Sequence, residues 1–411
     1  MTERPLPRGG SRVAIMSGLA IVSVAGVIGL ISMVVAGPEP RWRWGYVAAT
    51  LSFLLSAVQL APVLSAASRL GRGYWGARLR RMADLFALCG IVTAPVLIVL
   101  MRQLPEWRGR PSIWFDWPAA PGVWDTAAAI GLALAGAGLV AITTWPEHRT
   151  RGWLGTPTQW RVLTRGTIAL GVVYTLLAVF VHLIVVSDLA VSLVPGWHSA
   201  VAPPYHVESG FEAAVALVVV ALAAARALDR RISRTCAKLL LALALLWFYF
   251  VWCELLTDWY GATPDERGAL GLFMFGPGAG LFLAASVCEL VIPMAVLIWN
   301  RARSSPRVVT LVAAIVVAGN LVDRVRLYVG AWTVATPTAS DHLPDVLPSL
   351  PLPGLAEIAA TLGPIALSGL LIALVLRRIS PVSHWEVKAI ERLTPEVQAL
   401  RTRVTVVARP S

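Results

Sequence analysis

The sequence lacks the residues and motifs that usually hold redox metals or nucleotides. Its four cysteines form no C-x-x-C pair, which argues against an iron–sulfur cluster, a zinc site or a disulfide framework in this chain. Neither a Walker motif nor a dinucleotide-binding glycine fingerprint is present, and no cluster of metal ligands stands out. Charged residues are also scarce, at 14% of the chain, against about 25% in soluble domains.

Long apolar runs take the place of these features. Hydrophobic residues make up 57% of the chain, and a membrane span needs about 20 mostly apolar residues. Ten such segments predict an all-α integral membrane protein with ten transmembrane helices. We expect these to form two four-helix bundles plus two additional helices. The predicted spans are 13–35, 44–66, 82–101, 123–145, 166–194, 211–228, 236–257, 277–299, 308–334 and 354–376.

Basic residues are concentrated in alternate connections between these spans. Most of the 35 Lys and Arg lie in the N-terminus, the even-to-odd loops and the C-terminal tail. By the positive-inside rule, this bias predicts that both termini are cytoplasmic. The net charge of +12 therefore reflects orientation in lipid and not binding to nucleic acid. The expected domains are a cytoplasmic N-terminus (1–12), a transmembrane domain (13–376) and a cytoplasmic tail (377–411).

Titratable side chains inside spans are costly, at about 2.5–3.5 kcal/mol near the helix centre, and are therefore candidate functional residues. In the seventh span, Trp247, Phe250, Glu254 and Asp258 follow one another at spacings of three and four residues. This spacing puts an aromatic stripe and two carboxyl groups on one helix face. Other candidates within spans are His182, Asp188, Glu289, Asp323, Arg324 and Glu357.

Histidines are too few, and too far from the predicted spans, for a haem protein. A b-type haem in a helix bundle needs facing histidine ligands, and only His182 lies clearly within a predicted span. The remaining histidines are predicted to lie in loops or tails: His148, His198, His206, His342 and His384. Among these loops, the segment 195–210 stands out because it is aromatic and has no Lys or Arg.

The fifth span and the segment after it resemble the NrfD-like family, the membrane subunits of polysulfide reductase and alternative complex III. The most specific part is the run from His182 and Asp188 through Pro195-Gly196-Trp197-His198-Ser199 to Pro203-Pro204-Tyr205. Weaker similarity includes Trp124-Asp125, Trp247 to Tyr260, Pro293, Asp323-Arg324 and Trp385-Glu386. Ten helices, rather than eight, resemble the alternative complex III branch. The chain departs from the family pattern at Glu289, where an Asn is usual.

This resemblance implies a haem-free subunit that binds a quinone, either menaquinone or ubiquinone, near the outer face of a bacterial inner membrane. It also implies a docked ferredoxin-like iron–sulfur subunit, with further catalytic or multihaem subunits. The expected catalytic residues are His182, Asp188, Glu254 and Asp258. The quinone is expected to contact Trp197, His198, Tyr205, Trp247 and Phe250, and a proton path is expected through Glu289, Asp323, Arg324 and Glu357.

Two other classes of function remain open from the sequence. A secondary transporter would place its substrate site at the midplane between two similar halves with broken helices, and no matching pair of breaks is visible. A redox-silent scaffold subunit would hold other proteins in the membrane without reacting itself. Stable co-purification with an iron–sulfur subunit favours a redox subunit or a scaffold over a transporter.

Overall fold

A computed structural model describes residues 9–71, 74–104, 114, 117–148, 156–261, 263–335, 342–387, 396–399 and 402–405. Within these ranges, ten helices are long and apolar enough to cross a membrane, which confirms the predicted number. Parts of the predicted terminal domains, residues 1–8 and much of 388–411, lie outside the described residues. The ten helices are α1 Gly9–Ala36, α2 Trp42–Leu70, α3 Ala77–Met101, α4 Gly122–His148, α5 Pro157–Leu189, α6 Ala202–Ala224, α7 Arg230–Gly261, α8 Ala279–Leu297, α9 Pro306–Val334 and α10 Leu355–Val375.

Three of these helices contain an irregular turn. Wider π turns interrupt α2 at Leu54–Val58 and α8 at Val287–Val291, and a tighter 3₁₀ turn interrupts α3 at Phe86–Cys89. The π turn of α8 directly precedes Pro293, which has no backbone N–H to give to a regular helical ladder. Single π turns in helices are frequent at functional sites, and the turn in α8 contains Glu289.

Shorter elements connect and follow the long helices. A 3₁₀ turn, Val191–Leu193, follows α5, and a second one, Tyr74–Gly76, precedes α3. Helix Pro264–Leu270 and the π turn Gly271–Phe275 lie between α7 and α8, and a single turn, Asn300–Arg303, precedes α9. In the tail, strands β1 (Glu396–Ala399) and β2 (Thr402–Thr405) form an antiparallel hairpin. The part of the chain that could cross a membrane is therefore entirely helical.

Helix α2 is the central helix of the molecule. Its most apolar stretch is 94% buried, compared with 22% for α1, and it contacts α3, α5, α6, α9 and α10. Helix α1 packs chiefly on α10, where Gly26 and Gly363 meet so closely that a Cβ on Gly26 would lie 2.2 Å from the Cα of Gly363. Glycine at both positions lets the two backbones touch, as at many close helix crossings in membranes.

The two ends of the helix assembly differ in charge. At one end, Arg69 of α2 forms ion pairs with Asp84 of α3, at 2.6 Å, and with Glu386 of the tail, at 3.0 Å. Beside this group, Arg81 pairs with Glu147 at 2.8 Å. These contacts hold the segment after α10 against α2, α3 and α4. We call this the Arg69 end, and the opposite end, where α5 is followed by α6, the Trp197 end.

The sixth span begins earlier than the sequence predicts. Helix α6 starts at Ala202 and not near residue 211, so the segment expected to be a loop supplies two more helical turns. Its first turn contains Pro203 and Pro204, which are tolerated there because first-turn N–H groups have no partner within the helix. The Ser199 hydroxyl accepts hydrogen bonds from the backbone N–H of residues 201 and 202 and so caps the helix.

Candidate functional site

A cleft at the Trp197 end lies between α6, α7, α9 and the short helical segment after α7. Its free space is about 40 Å³, enough for a few water molecules, so a ligand the size of a quinone ring would enter as the side chains of the lining move apart. The lining is mainly aromatic and aliphatic, and its charged members are two carboxyl groups and one guanidinium. The lining residues are Trp197, Val201, Ala202, Tyr205, Phe250, Val251, Glu254, Asp258, Ala269, Leu270, Phe273, Met274, Arg326 and Leu327.

The two carboxyl groups come from α7, as the sequence spacing predicts. Glu254 and Asp258 are one helical turn apart and both line the cleft. The Ser199 hydroxyl, which also caps α6, donates a hydrogen bond of 2.7 Å to Oε2 of Glu254. This bond links the start of α6 to the middle of the cleft wall and orients the Glu254 carboxylate.

Aromatic rings form the walls of the cleft. The ring of Trp197 packs against Phe273, with ring centroids 5.0 Å apart, and Phe250 lines the α7 side. Behind Tyr205, at 6.1 Å between centroids, lies Trp247, which is buried and does not itself reach the cleft. An apolar slot of this kind suits a flat ring, because aromatic side chains offer both faces and edges to it.

The guanidinium in the cleft belongs to Arg326, which the sequence did not single out as a site residue. Its Nη2 donates to Oδ1 of Asp323 at 2.7 Å, and its Nη1 donates to the carbonyl oxygen of Phe273 at 3.2 Å. The same guanidinium lies over the rings of Phe273 and Phe282, 5.9 and 5.3 Å from their centroids. The three-residue spacing from Asp323 was the available signal, because it places both residues on one face of α9.

A buried ion cluster lies behind the cleft on α9. The Asp323 carboxylate accepts a hydrogen bond from Tyr205 Oη at 3.0 Å, and Arg324 lies 3.6 Å from it. Arg324 also donates to the Ser209 hydroxyl, at 2.8 Å, and to the backbone carbonyl of residue 206. We call Tyr205, Asp323, Arg324 and Arg326 the ion cluster. It joins the cleft to the interior of the helix assembly.

Three further carboxyl groups lie deeper between α6, α8 and α9. Oε1 of Glu289, in the π turn of α8, accepts from the Asn320 side chain at 3.1 Å. Glu208 and Glu212 of α6 are buried, and neither carboxyl group has a hydrogen-bond partner among the described residues. Glu208 lies in the segment 195–210, which the sequence predicts to be a loop, and Glu212 was not among the predicted site residues, although the two are one helical turn apart.

The histidines lie away from the cleft, and one is placed differently than expected. His206 is buried in α6, not in a loop, and its ring centroid lies 5.4 Å from that of His182 in α5. The expectation that only His182 lies clearly within a span is therefore wrong, because α6 begins at Ala202 and not near residue 211.

The remaining predicted residues occupy separate places. Asp188 is buried near the end of α5 and does not line the cleft. His198 is exposed beside Trp197, at the surface of the Trp197 end. Glu357, in the first turn of α10, pairs with Arg43 at 2.5 Å and accepts a hydrogen bond from the backbone N–H of residue 354. Five of the predicted site residues thus meet in one cleft: Trp197, Tyr205, Phe250, Glu254 and Asp258.

Comparison with known proteins adds no family assignment. The chain matches no protein-family model and no curated protein sequence. Within the described ranges, no group of three or more His, Cys, Asp or Glu side chains is close enough to hold a metal ion. The geometry of the cleft and of the ion cluster is therefore the basis for assigning a function.

Proposed function

We propose that the chain is the quinone-binding membrane subunit of a multisubunit oxidoreductase of the NrfD-like type. The observation that carries the proposal is the cleft itself, which combines an aromatic slot with two carboxyl groups and a guanidinium. A quinone headgroup needs flat apolar walls and a polar group near each carbonyl oxygen, and the lining of the cleft supplies both kinds of group. Menaquinone and ubiquinone both meet this description.

The reaction proposed for this cleft is the exchange of two electrons with the quinone. Oxidation of a quinol releases two protons and two electrons, and the electrons pass to an iron–sulfur partner subunit. Glu254 and Asp258 are placed to accept the protons, since both carboxyl groups line the cleft. Arg326, held by Asp323, is placed to donate a hydrogen bond to a quinone oxygen.

The orientation follows from the basic residues. With the Arg69 end in the cytoplasm of a bacterium, the Trp197 end and its cleft face the outer side of the inner membrane. Exposed His198 and its neighbours then form the face on which a ferredoxin-like subunit docks, with catalytic or multihaem subunits beyond it. In this proposal α2–α5 and α6–α9 are the two four-helix bundles, and α1 and α10 are the additional pair.

Proton transfer through the ion cluster belongs to the same proposal. Asp323 and Arg324 lie directly behind the cleft, and Glu289 lies deeper, bonded to Asn320. These groups offer a series of buried sites at which a proton can be held. Glu357 was expected on this path too, but its ion pair with Arg43 at the start of α10 supports a role in fixing that helix.

A binding titration of the purified chain tests the proposal. Tryptophan fluorescence is followed as a quinone analogue is added in detergent, because Trp197 lines the cleft. We expect Phe250→Ala to weaken binding about tenfold, equivalent to about 1.4 kcal/mol. The matched control is Phe248→Ala, two residues away on the same helix with its ring exposed on the outer face, which should bind as wild type does. Equal affinities of the two variants would refute the assignment.

A further inference from the structure

Helix α2 has a row of polar residues along one face in the middle of the molecule. Ser52, Ser56 and Gln59 follow at spacings of four and three residues and are all fully or almost fully buried. Burying polar groups in the most enclosed helix of a membrane protein is costly unless they have partners or a function. The π turn of α2, Leu54–Val58, lies within this row.

At one end the row meets the ion cluster. The Ser52 hydroxyl lies 2.7 Å from Nε2 of His206, and the Tyr328 hydroxyl lies 2.9 Å from the same nitrogen. Next to His206, on α6, is Ser209, whose hydroxyl accepts from Arg324. The imidazole of His206 thus bonds to Ser52 and Tyr328, and the backbone carbonyl of the same residue bonds to Arg324 behind the cleft.

At the other end the row continues towards the Arg69 end. Oε1 of Gln59 accepts a hydrogen bond from Thr93 of α3 at 2.8 Å, and the Gln59 carbonyl oxygen accepts one from Tyr174 of α5 at 2.7 Å. Six residues further along α2, about 9 Å along the helix axis, the Ser65 hydroxyl donates to the Asp84 carboxylate. The stretch of α2 between Gln59 and Ser65 is the widest gap between successive polar groups in the series.

The series ends at the Arg69 ion pairs. Asp84 is fully buried and shares Arg69 with Glu386, which belongs to the segment after α10. Arg80 also lies 3.6 Å from Glu386 and donates to the Ser68 hydroxyl at 2.8 Å. The polar groups thus extend from the region behind the cleft to the buried ion pairs at the Arg69 end of the same helices.

Four buried atoms along this series have no hydrogen-bond partner among the described residues. They are Ser56 Oγ, Gln59 Nε2, His182 Nε2 and His206 Nδ1. Leaving such atoms without a partner costs about 1–3 kcal/mol each, and internal water is the usual partner of buried polar atoms. Ser56 and Gln59 belong to the α2 row, His206 contacts the row through Ser52, and the ring centroid of His182 lies 5.4 Å from that of His206.

We propose that this row is a proton-conducting route between the cleft and the Arg69 end. The protons pass along water molecules ordered by Ser56 and Gln59 and through the imidazoles of His182 and His206. One proton enters the chain of hydrogen bonds as another leaves it, and no electron moves. That these protons are those of a quinone rests on the proposed function above. The route itself is argued from the contacts of α2.

Proton flux into liposomes tests the route without any quinone. The purified full-length chain is reconstituted, a potential is set with potassium and valinomycin, and a trapped pH dye reports acidification. We expect the wild-type flux to exceed that of protein-free liposomes, and Gln59→Leu to reduce it to their level. The matched control is Thr50→Val, because Thr50 lies on the opposite side of α2, is buried and, among the described residues, has its hydroxyl bonded only to the carbonyl oxygen of residue 46. Its flux should equal that of wild type.

Two outcomes overturn the route. One is a wild-type flux no greater than that of protein-free liposomes, and the other is a Gln59→Leu variant that conducts as the wild type does. Thermal unfolding of each variant separates lost conduction from misfolding, and Gln59→Asn, which retains the amide, should restore part of the flux. Quinone-analogue binding is measured separately, so failure of the route is distinguishable from failure of the proposed function.

Discussion

Removing the Arg326 guanidinium should destabilise the chain strongly, because the buried carboxylate of Asp323 then loses one of the groups that balance its negative charge. Arg326 donates two hydrogen bonds to Oδ1 of Asp323, at 3.0 and 2.7 Å, and a third to the Phe273 carbonyl. Breaking a buried ion pair from one side typically costs about 3–5 kcal/mol. Arg324 and the Tyr205 hydroxyl still contact Asp323, so we expect a loss of about 3 kcal/mol for Arg326→Met, at the lower end of that range.

A double-mutant cycle isolates the interaction. Thermal unfolding in detergent is compared for wild type, Arg326→Met, Asp323→Asn and the double variant. The double variant should be more stable than the sum of the single losses predicts, by about 1.5 kcal/mol or more, because it removes both charges together. Additive losses, or a loss below about 1 kcal/mol for Arg326→Met, would refute the view that Asp323 depends on Arg326.

Three further substitutions test contacts elsewhere. Gly26→Leu should separate α1 from α10 and lower the unfolding midpoint, since its side chain would collide with the backbone of Gly363. Gly18→Leu should leave the unfolding midpoint unchanged, because a Cβ at this position meets nothing within 4 Å. Glu386→Gln should expose the tail segment to faster limited proteolysis, because it weakens the pairing at the Arg69 end. Ser199→Ala should destabilise the chain by about 1 kcal/mol, measured by thermal unfolding, since it removes the cap of α6 and the bond to the cleft carboxylate.

The sequence predicts much of the fold because hydropathy and helical period are local properties. Ten apolar segments of sufficient length gave the number of helices, and the spacing of Phe250, Glu254 and Asp258 placed all three on the cleft side of α7. The side of a helix on which a residue lies follows from its sequence spacing to other residues of the same helix. For this reason the carboxyl pair and its aromatic neighbour were identified without the structure.

The parts that the sequence did not reveal depend on contacts between helices. Phe273 enters the cleft from a short segment between α7 and α8, and no periodic pattern links it to Trp197. The sequence predicts a loop over 195–210, which includes His206 and Glu208, whereas both lie in α6, where the two prolines occupy the first helical turn. Which residues of α6 face α2 and α9 is decided by packing, and one sequence does not show it.

Photolabelling with an azido-quinone tests the central claim, that the cleft binds a quinone, most directly. The reconstituted chain is illuminated with the label, digested and analysed by mass spectrometry, with and without excess unlabelled quinone. We predict that label prevented by the excess quinone is found on peptides containing Trp197 to Tyr205 and Phe250 to Asp258, the walls of the cleft. Label confined to the outward faces of α1 and α10, or label that excess quinone does not reduce, would contradict the account.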